Sequence, residues 1–334
     1  MSVADIFNFK GGTGLCKLYR QLHDDECIEL AKIAVELLSG KDERAVDQAE
    51  SILVNSALIT NGTGLKAIYN HLVEKNYFPN RMGVIYRFAD DGIAEKIIHK
   101  LETASTGVNN LLMSLVWIKT EHVMNFLQKA SEEKADWAKD LYVTPIRYSE
   151  ESGWIVDKNN KLKSLIYDKC LLPVDSEEVA DVEIAVNNRL IEKCPACGNT
   201  LNSLFMLDLD NPVYSFLGLK GEKINIAACL ECAIYEPYFM SAAVKRELDN
   251  GGETLKFKDI GVLGSNLFSD DIPGTQIGGH PNWVNDAFYP ECPHCKNKMM
   301  FIGQQGDELS GYEGTFFCFI CPECLETCVL YDQS

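Results

Sequence analysis

Four Cys-x-x-Cys pairs dominate the second half of this chain: Cys194/Cys197, Cys229/Cys232, Cys292/Cys295 and Cys321/Cys324. They fall into two sets, with 31 residues between the first two pairs and 25 between the last two. Cysteines so spaced serve as disulfides, as redox dithiols or as metal ligands. The N-terminal residues show no basic stretch leading into an apolar one, so no secretion signal and no disulfide framework are expected. A redox dithiol is normally one pair beside a βαβ pattern, whereas here every pair has a partner pair. Two facing knuckles supply four thiolates to a tetrahedral ion, the arrangement zinc prefers. Each set then reads as knuckle, strand, return strand and knuckle, which is a zinc ribbon. Leu204-Phe205-Met206-Leu207 and Ile224-Asn225-Ile226-Ala227-Ala228 supply the first ribbon's strands. Met299-Met300-Phe301-Ile302 and Phe316-Phe317-Cys318-Phe319-Ile320 supply the second's. The expectation is two structural zinc ions, held by Cys194, Cys197, Cys229 and Cys232, and by Cys292, Cys295, Cys321 and Cys324.

Cys318 also makes a legal pair with Cys321. Aligning the two ribbons places Cys318 opposite Ile226 and Cys328 opposite Glu236, neither at a ligand position. Both are therefore read as buried thiols, together with Cys16, Cys27 and Cys170. A zinc deaminase would need an acid/base glutamate in a His-x-Glu segment, and His280-Pro281-Asn282 lacks one. Four thiolates also leave no open coordination position for water, which argues against metal-water catalysis. The run Lys10-Gly11-Gly12-Thr13-Gly14 lacks the Gly-Lys-Ser/Thr ending of a phosphate loop, and the six histidines form no cluster. No catalytic residues are assigned.

The first 145 residues read as helical. Over 27–38 the apolar residues Cys27, Leu30, Ala31, Ala34, Leu37 and Leu38 keep helical spacing, with Gly40 as a stop. Two internal repeats follow. Gly12-Thr13-Gly14-Leu15 with Leu18, Tyr19 and Leu22 recurs fifty residues on as Gly62-Thr63-Gly64-Leu65 with Ile68, Tyr69 and Leu72. Ile85, Phe88, Ile93 and Ile97 recur thirty residues on as Leu115, Ile118, Val123 and Leu127. Repeated helix, turn and helix units imply stacked pairs, because one pair cannot bury its apolar stripe alone. The apolar spacing and central turn over 112–127 resemble a HEAT-type repeat.

After Pro145 the texture changes, and 148–167 reads as a hairpin turning at Asp157-Lys158-Asn159-Asn160. The expected organisation is an α+β multidomain chain. A helical repeat domain of the HEAT-like solenoid type spans 1–145, and a β-rich domain over 146–334 carries the two four-cysteine ribbons at 194–232 and 292–324.

Ile277-Gly278-Gly279-His280-Pro281-Asn282-Trp283 precedes Tyr289-Pro290-Glu291-Cys292-Pro293-His294-Cys295 and Met299-Met300-Phe301-Ile302-Gly303-Gln304. This block resembles the bacterial YwqG-like family and the eukaryotic programmed-cell-death-2-like proteins. The match covers about 260–334, with a weaker echo in the first ribbon, and the helical repeats depart from both families. The resemblance implies no catalytic residues; the eukaryotic relatives are thought to bind a small-subunit ribosomal protein.

With 31 basic and 49 acidic residues the formal charge is -18. Eight thiolates on two zinc ions would take it to about -22. Such a surface repels phosphate backbones and draws basic partners. No apolar run reaches the length of a membrane span, so no membrane role and a cytoplasmic location are expected. The functional expectation is a non-enzymatic adaptor, chaperone or immunity-type binder of a basic protein. A nucleic-acid-binding ribbon protein is second, disfavoured by the acidity, and an enzyme with an unrecognised site is third.

Overall fold

The computed structural model describes residues 13–40, 42–79, 82–242, 244, 246–249, 252–264 and 274–333. It divides the chain into two compact units, Met1–Ser164 and Leu165–Ser334. The molecule is mixed α and β, helical first and β-rich second.

The first unit holds α1 (Thr13–Arg20), α2 (Asp24–Leu38), α3 (Glu43–Ile59), α4 (Thr63–Glu74), α5 (Asp91–Glu102), α6 (Val108–Val116) and α7 (Glu121–Glu133). The helical spacing read over 27–38 lies in α2, which starts earlier because the Glu26 carboxylate accepts from the His23 N–H at 2.8 Å. Both halves of the fifty-residue repeat begin a helix at their threonine, and Tyr19 and Tyr69 are both buried. Residues 10–12 of the glycine run lie outside the described residues. Gly62 caps α4 in the left-handed region, at φ 79. At Gly64 an added Cβ would stand 2.2 Å from the Cys27 carbonyl oxygen, so glycine is what lets α4 lie close on α2.

The thirty-residue repeat corresponds to two capped helices. The side chain of Asp90 accepts from Ile93 N at 3.0 Å, and that of Thr120 accepts from Val123 N at 3.3 Å. Each cap follows a buried apolar segment, a 3-10 turn over Gly83–Tyr86 in one case and α6 in the other. Gly83 lies so close to Met113 that a Cβ would meet its carbonyl oxygen at 2.1 Å.

A 3-10 helix over Pro145–Ser152 leads into β1 (Trp154–Val156) and β2 (Leu162–Ser164), which pair as the expected hairpin. Asp157 shapes its turn, accepting from Asn159 N at 2.8 Å and Lys161 N at 2.9 Å. This hairpin belongs to the helical unit, which runs to Ser164. The cause is Trp154, whose fully buried indole donates to the Val116 carbonyl at the end of α6 at 2.8 Å; Ser152 Oγ donates to the same oxygen at 2.8 Å. A tryptophan so buried fixes its strand to whatever surrounds it.

The second unit is built on one antiparallel sheet of 10 strands. Its strands are β3 (Cys170–Pro173), β4 (Val182–Lys193), β5 (Thr200–Asp208), β6 (Lys223–Ala228), β7 (Tyr238–Ser241), β8 (Glu253–Asp259), β9 (Gln276–Gly278), β10 (Met300–Gln305), β11 (Thr315–Ile320) and β12 (Glu326–Asp332). The order across the sheet is β6-β5-β4-β8-β3-β9-β10-β11-β12-β7. The ends approach one another, since β6 lies near both β7 and β12, and the sheet forms a nearly closed barrel. Ile184, Phe205, Ile226, Phe257, Phe316 and Val329 are among the side chains that fill its core.

The barrel contains a pseudo-repeat in its hydrogen bonding. Strand β5 bulges against β6 between Ser203 and Phe205, and β10 bulges against β11 between Phe301 and Gly303. Each bulge lies at the same distance in sequence after its knuckle, counted from Cys194 or Cys292. Gln305 joins the two halves by donating to the Leu204 carbonyl at 2.7 Å, at the residue the first bulge leaves out of the ladder.

Candidate metal centres

A Cys-x-x-Cys segment becomes a ligand pair when its backbone folds under the sulfurs. After β4 the Cys194 N–H donates to the Asn199 carbonyl at 2.8 Å, and Gly198 N donates back to the Cys194 carbonyl at 2.9 Å. After the loop before β10 the same ring recurs, with Cys292 N to Asn297 O at 2.9 Å and Lys296 N to Cys292 O at 2.9 Å. Both turns need a left-handed residue, and Gly198 supplies φ 78 while Lys296 is held at φ 61. The partner knuckles differ. Cys321–Cys324 turns back at once, through Leu325 at φ 52, into β12. Cys229 instead opens a short helical turn, α8 (Leu230–Ala233), before the chain reaches β7.

The fold brings all eight predicted ligands into two quartets, Cys194/Cys197/Cys229/Cys232 and Cys292/Cys295/Cys321/Cys324, with the sulfurs in each within 4.8 Å of one another. In the first, Cys194 and Cys232 are 3.8 Å apart and Cys197 and Cys229 3.5 Å; in the second, Cys295 and Cys321 are 3.6 Å apart. A zinc ion at about 2.3 Å from four sulfurs sets tetrahedron edges of about 3.8 Å. Disulfides need sulfurs at about 2.05 Å, and none of the eight quartet cysteines is in one. Either quartet can hold a metal ion, and its donor set of four soft thiolates suits zinc.

The titration behaviour of the bare quartets fits the same conclusion. Burial raises the Cys194 thiol, yet the Tyr238 hydroxyl at 3.3 Å and the amides of Cys197 and Ala196 outweigh it and bring it to about 6. Sharing a hydrogen bond with Cys197 raises Cys232 instead, and burial raises Cys229. In the second quartet Cys295 is lowered, by the Asn297 amide and its sulfur neighbours acting against burial, while Cys324 is pushed up to about 12 by burial and the same neighbours. Close sulfurs cannot all ionise alone, and a dication removes that conflict.

The five remaining cysteines, Cys16, Cys27, Cys170, Cys318 and Cys328, are all buried and stand outside both quartets. Burial pushes Cys16 up to about 11 and raises Cys318 well above its ordinary value. Such thiols behave as small apolar side chains.

The Gly-Gly segment before the second quartet forms a tight turn, with Gly278 and Gly279 both at φ 72. A Cβ at Gly278 would meet the Lys169 carbonyl oxygen at 2.4 Å, and one at Gly279 the Leu263 carbonyl oxygen at 2.4 Å. Buried Gln276 spans the turn, donating to the carbonyls of Gly278 at 2.8 Å and His280 at 2.9 Å. Beyond it Trp283 stacks on Phe317 at 4.8 Å and meets Tyr289 edge-on at 5.3 Å, beside the second quartet. Sequence reasoning picked out Gly278, Gly279 and Trp283 here. It missed Tyr238, because nothing local to that residue marks a strand that returns to Cys194.

Fold and quartets together define a nearly closed β-barrel with two four-cysteine groups that could hold metal ions, joined in sequence to a helical unit. The chain is similar to Uncharacterized protein YpfL of Salmonella typhimurium, 26% identical over 343 residues that cover 95% of this chain and 80% of that protein. No family model matches the chain, and no solved structure matches it.

Proposed function

We propose that both quartets hold zinc as closed ribbon-type sites, and that the protein is a non-enzymatic binder of a basic protein. The observation that carries the zinc reading is the pair of four-sulfur groups with separations near the edge of a zinc tetrathiolate. Four protein ligands leave no position for substrate or water, which supports a structural rather than a catalytic role. The formal charge of -18 supports a basic partner. The helical unit, read as HEAT-like, offers the kind of extended surface on which stacked helices bind proteins. The likeness of 277–304 to YwqG-like and programmed-cell-death-2-like proteins supports the same class of role.

The experiment is affinity capture with the zinc-loaded protein at about 50 mM and about 500 mM salt, followed by mass spectrometry. A basic protein retained at the lower salt and lost at the higher supports the reading, since screening shortens several-fold over that range. Capture that is indifferent to salt counts against a charge-driven partner. Elemental analysis showing no metal in the purified protein would overturn the zinc assignment. No described helix is long and apolar enough to cross a membrane.

A further inference from the structure

The two quartets share the geometry of their first knuckles but not their place in the sheet. In the second, Cys321 follows β11 and Cys324 precedes β12, and these two strands pair over six residues from Thr315↔Asp332 to Ile320↔Thr327. An ion there reinforces a ladder that the backbone already closes. In the first, Cys229 follows β6 and Cys232 precedes β7, the two ends of the sheet, and among the described residues no ladder joins them. Across this seam the chain offers the Cys194···Cys232 approach at 3.8 Å and the Tyr238 hydroxyl at 3.3 Å from Cys194. Solvent access differs as well: Cys197 is exposed, whereas no thiol of the second quartet is more than partly so.

We propose that the first quartet is an oxidant-released clasp on the barrel seam, and that the second is permanent reinforcement. The proposal rests on the zinc reading above. Its chemistry uses a peroxide as oxidant. The exposed Cys197 thiolate attacks the peroxide; an S–O bond forms, the O–O bond breaks, and hydroxide leaves to become water with a solvent proton. The Cys229 thiolate, 3.5 Å away, then attacks that sulfur. An S–S bond forms, the S–O bond breaks, and a second hydroxide is protonated to water. The two sulfurs give up two electrons and one peroxide becomes two waters. With Cys194 and Cys232 as the only thiolates left, the site would no longer hold a zinc ion, and the chain before β7 would no longer be tied to Cys194. The seam opens over Ile224, Ile226 and Ala228, which are buried while it is closed.

The test treats the zinc-loaded full chain with hydrogen peroxide while a chromogenic chelator reads zinc release and hydrogen exchange reads the backbone. One zinc per chain is expected to leave first. Exchange should accelerate at least tenfold in β6 and β7 with β10 and β11 unchanged, and peptide mapping should find a Cys197–Cys229 disulfide. Dithiothreitol with added zinc should restore the starting state. Cys197→His keeps a ligand but removes the exposed sulfur that reacts first, and its first quartet should hold zinc at the same peroxide dose. Release of both ions together, earlier release from the second quartet, or unchanged exchange in β6 and β7 after release would each overturn the proposal. Those outcomes differ from a purified protein that carries no zinc, which overturns the metal assignment itself.

Discussion

The helical unit and the barrel close their cores by different means. In the first, the apolar stripe of each helix meets a neighbour close in sequence, such as α2 with α3 and α4, and the glycines at 64 and 83 bring backbones together. In the second, the sheet places β7 beside β12 and β3 between β8 and β9, so pairing spans long stretches of chain. Local contacts cost little loop entropy, whereas distant pairings cost more and gain from cross-links that hold them. Both four-cysteine groups lie in the unit built on distant pairings, where a bound ion would offset the entropy of a barrel whose ends share no ladder among the described residues.

The sharpest way to break this comparison is to remove the metal. A structural tetrathiolate site contributes on the order of 10 kcal/mol of apparent binding free energy. Strong chelation of the full chain is therefore expected to lower amide protection steeply across the described residues of 165–334, leaving a weakly stable folded form, while α2 to α7 keep theirs. Loss of protection in both units at once, read by hydrogen exchange, would show that the helical unit also depends on the ions.

The converse perturbation is Leu115→Asp, which places a charge among fully buried side chains of α6. It is expected to destabilise the helical unit by about 3–5 kcal/mol. Zinc content should stay at its wild-type level. Thermal unfolding followed at 222 nm, with elemental analysis alongside, separates the two effects.

A matched pair of glycine substitutions sharpens the contrast further. Gly64→Ala meets the Cys27 carbonyl oxygen, and Gly278→Ala meets that of Lys169 while also forcing a side chain to φ 72. Each is expected to cost about 2 kcal/mol or more in its own unit. Denaturant midpoints by unit-resolved exchange should move in one unit for each variant.

The smallest effect is expected from Tyr238→Phe. The phenol donates to Cys194 and favours its thiolate, so removing it should raise the Cys194 pKa from about 6 in the metal-free protein. A thiol whose folded pKa lies below its unfolded one adds stability in full above the unfolded pKa, and loses it as pH falls through the folded one. The variant should thus show slower alkylation of Cys194 near pH 6.5, and the apo protein less gain in stability on the alkaline side. An unchanged alkylation profile would show that the backbone amides of Ala196 and Cys197 alone hold the thiolate.

Particular residues show where the sequence was sufficient. The grouping of the eight cysteines was legible because a Cys-x-x-Cys knuckle is local: the ring of hydrogen bonds from Cys194 to Asn199, and from Cys292 to Asn297, closes within six residues. Buried positions of the thirty-residue repeat, among them Ile93, Ile97, Val123 and Leu127, were legible for the same reason, whereas the caps at Asp90 and Thr120 were not read. The hairpin of β1 and β2 was legible as a hairpin, but not as part of the helical unit. Its turn is written in Asp157 and its neighbours, while its allegiance depends on the pocket around Trp154 and on the Val116 carbonyl.

By itself, then, the sequence determined the helices, the turns and the membership of both cysteine quartets, because each depends on spacings of a few residues. Only the tertiary structure decided that both quartets sit in one sheet, that β7 pairs with β12 and not with β6, and that Tyr238 reaches Cys194. Strand pairing has no signature in the period of a strand. Alternation fixes which face a residue takes, and the partner is chosen by the packing of the whole barrel.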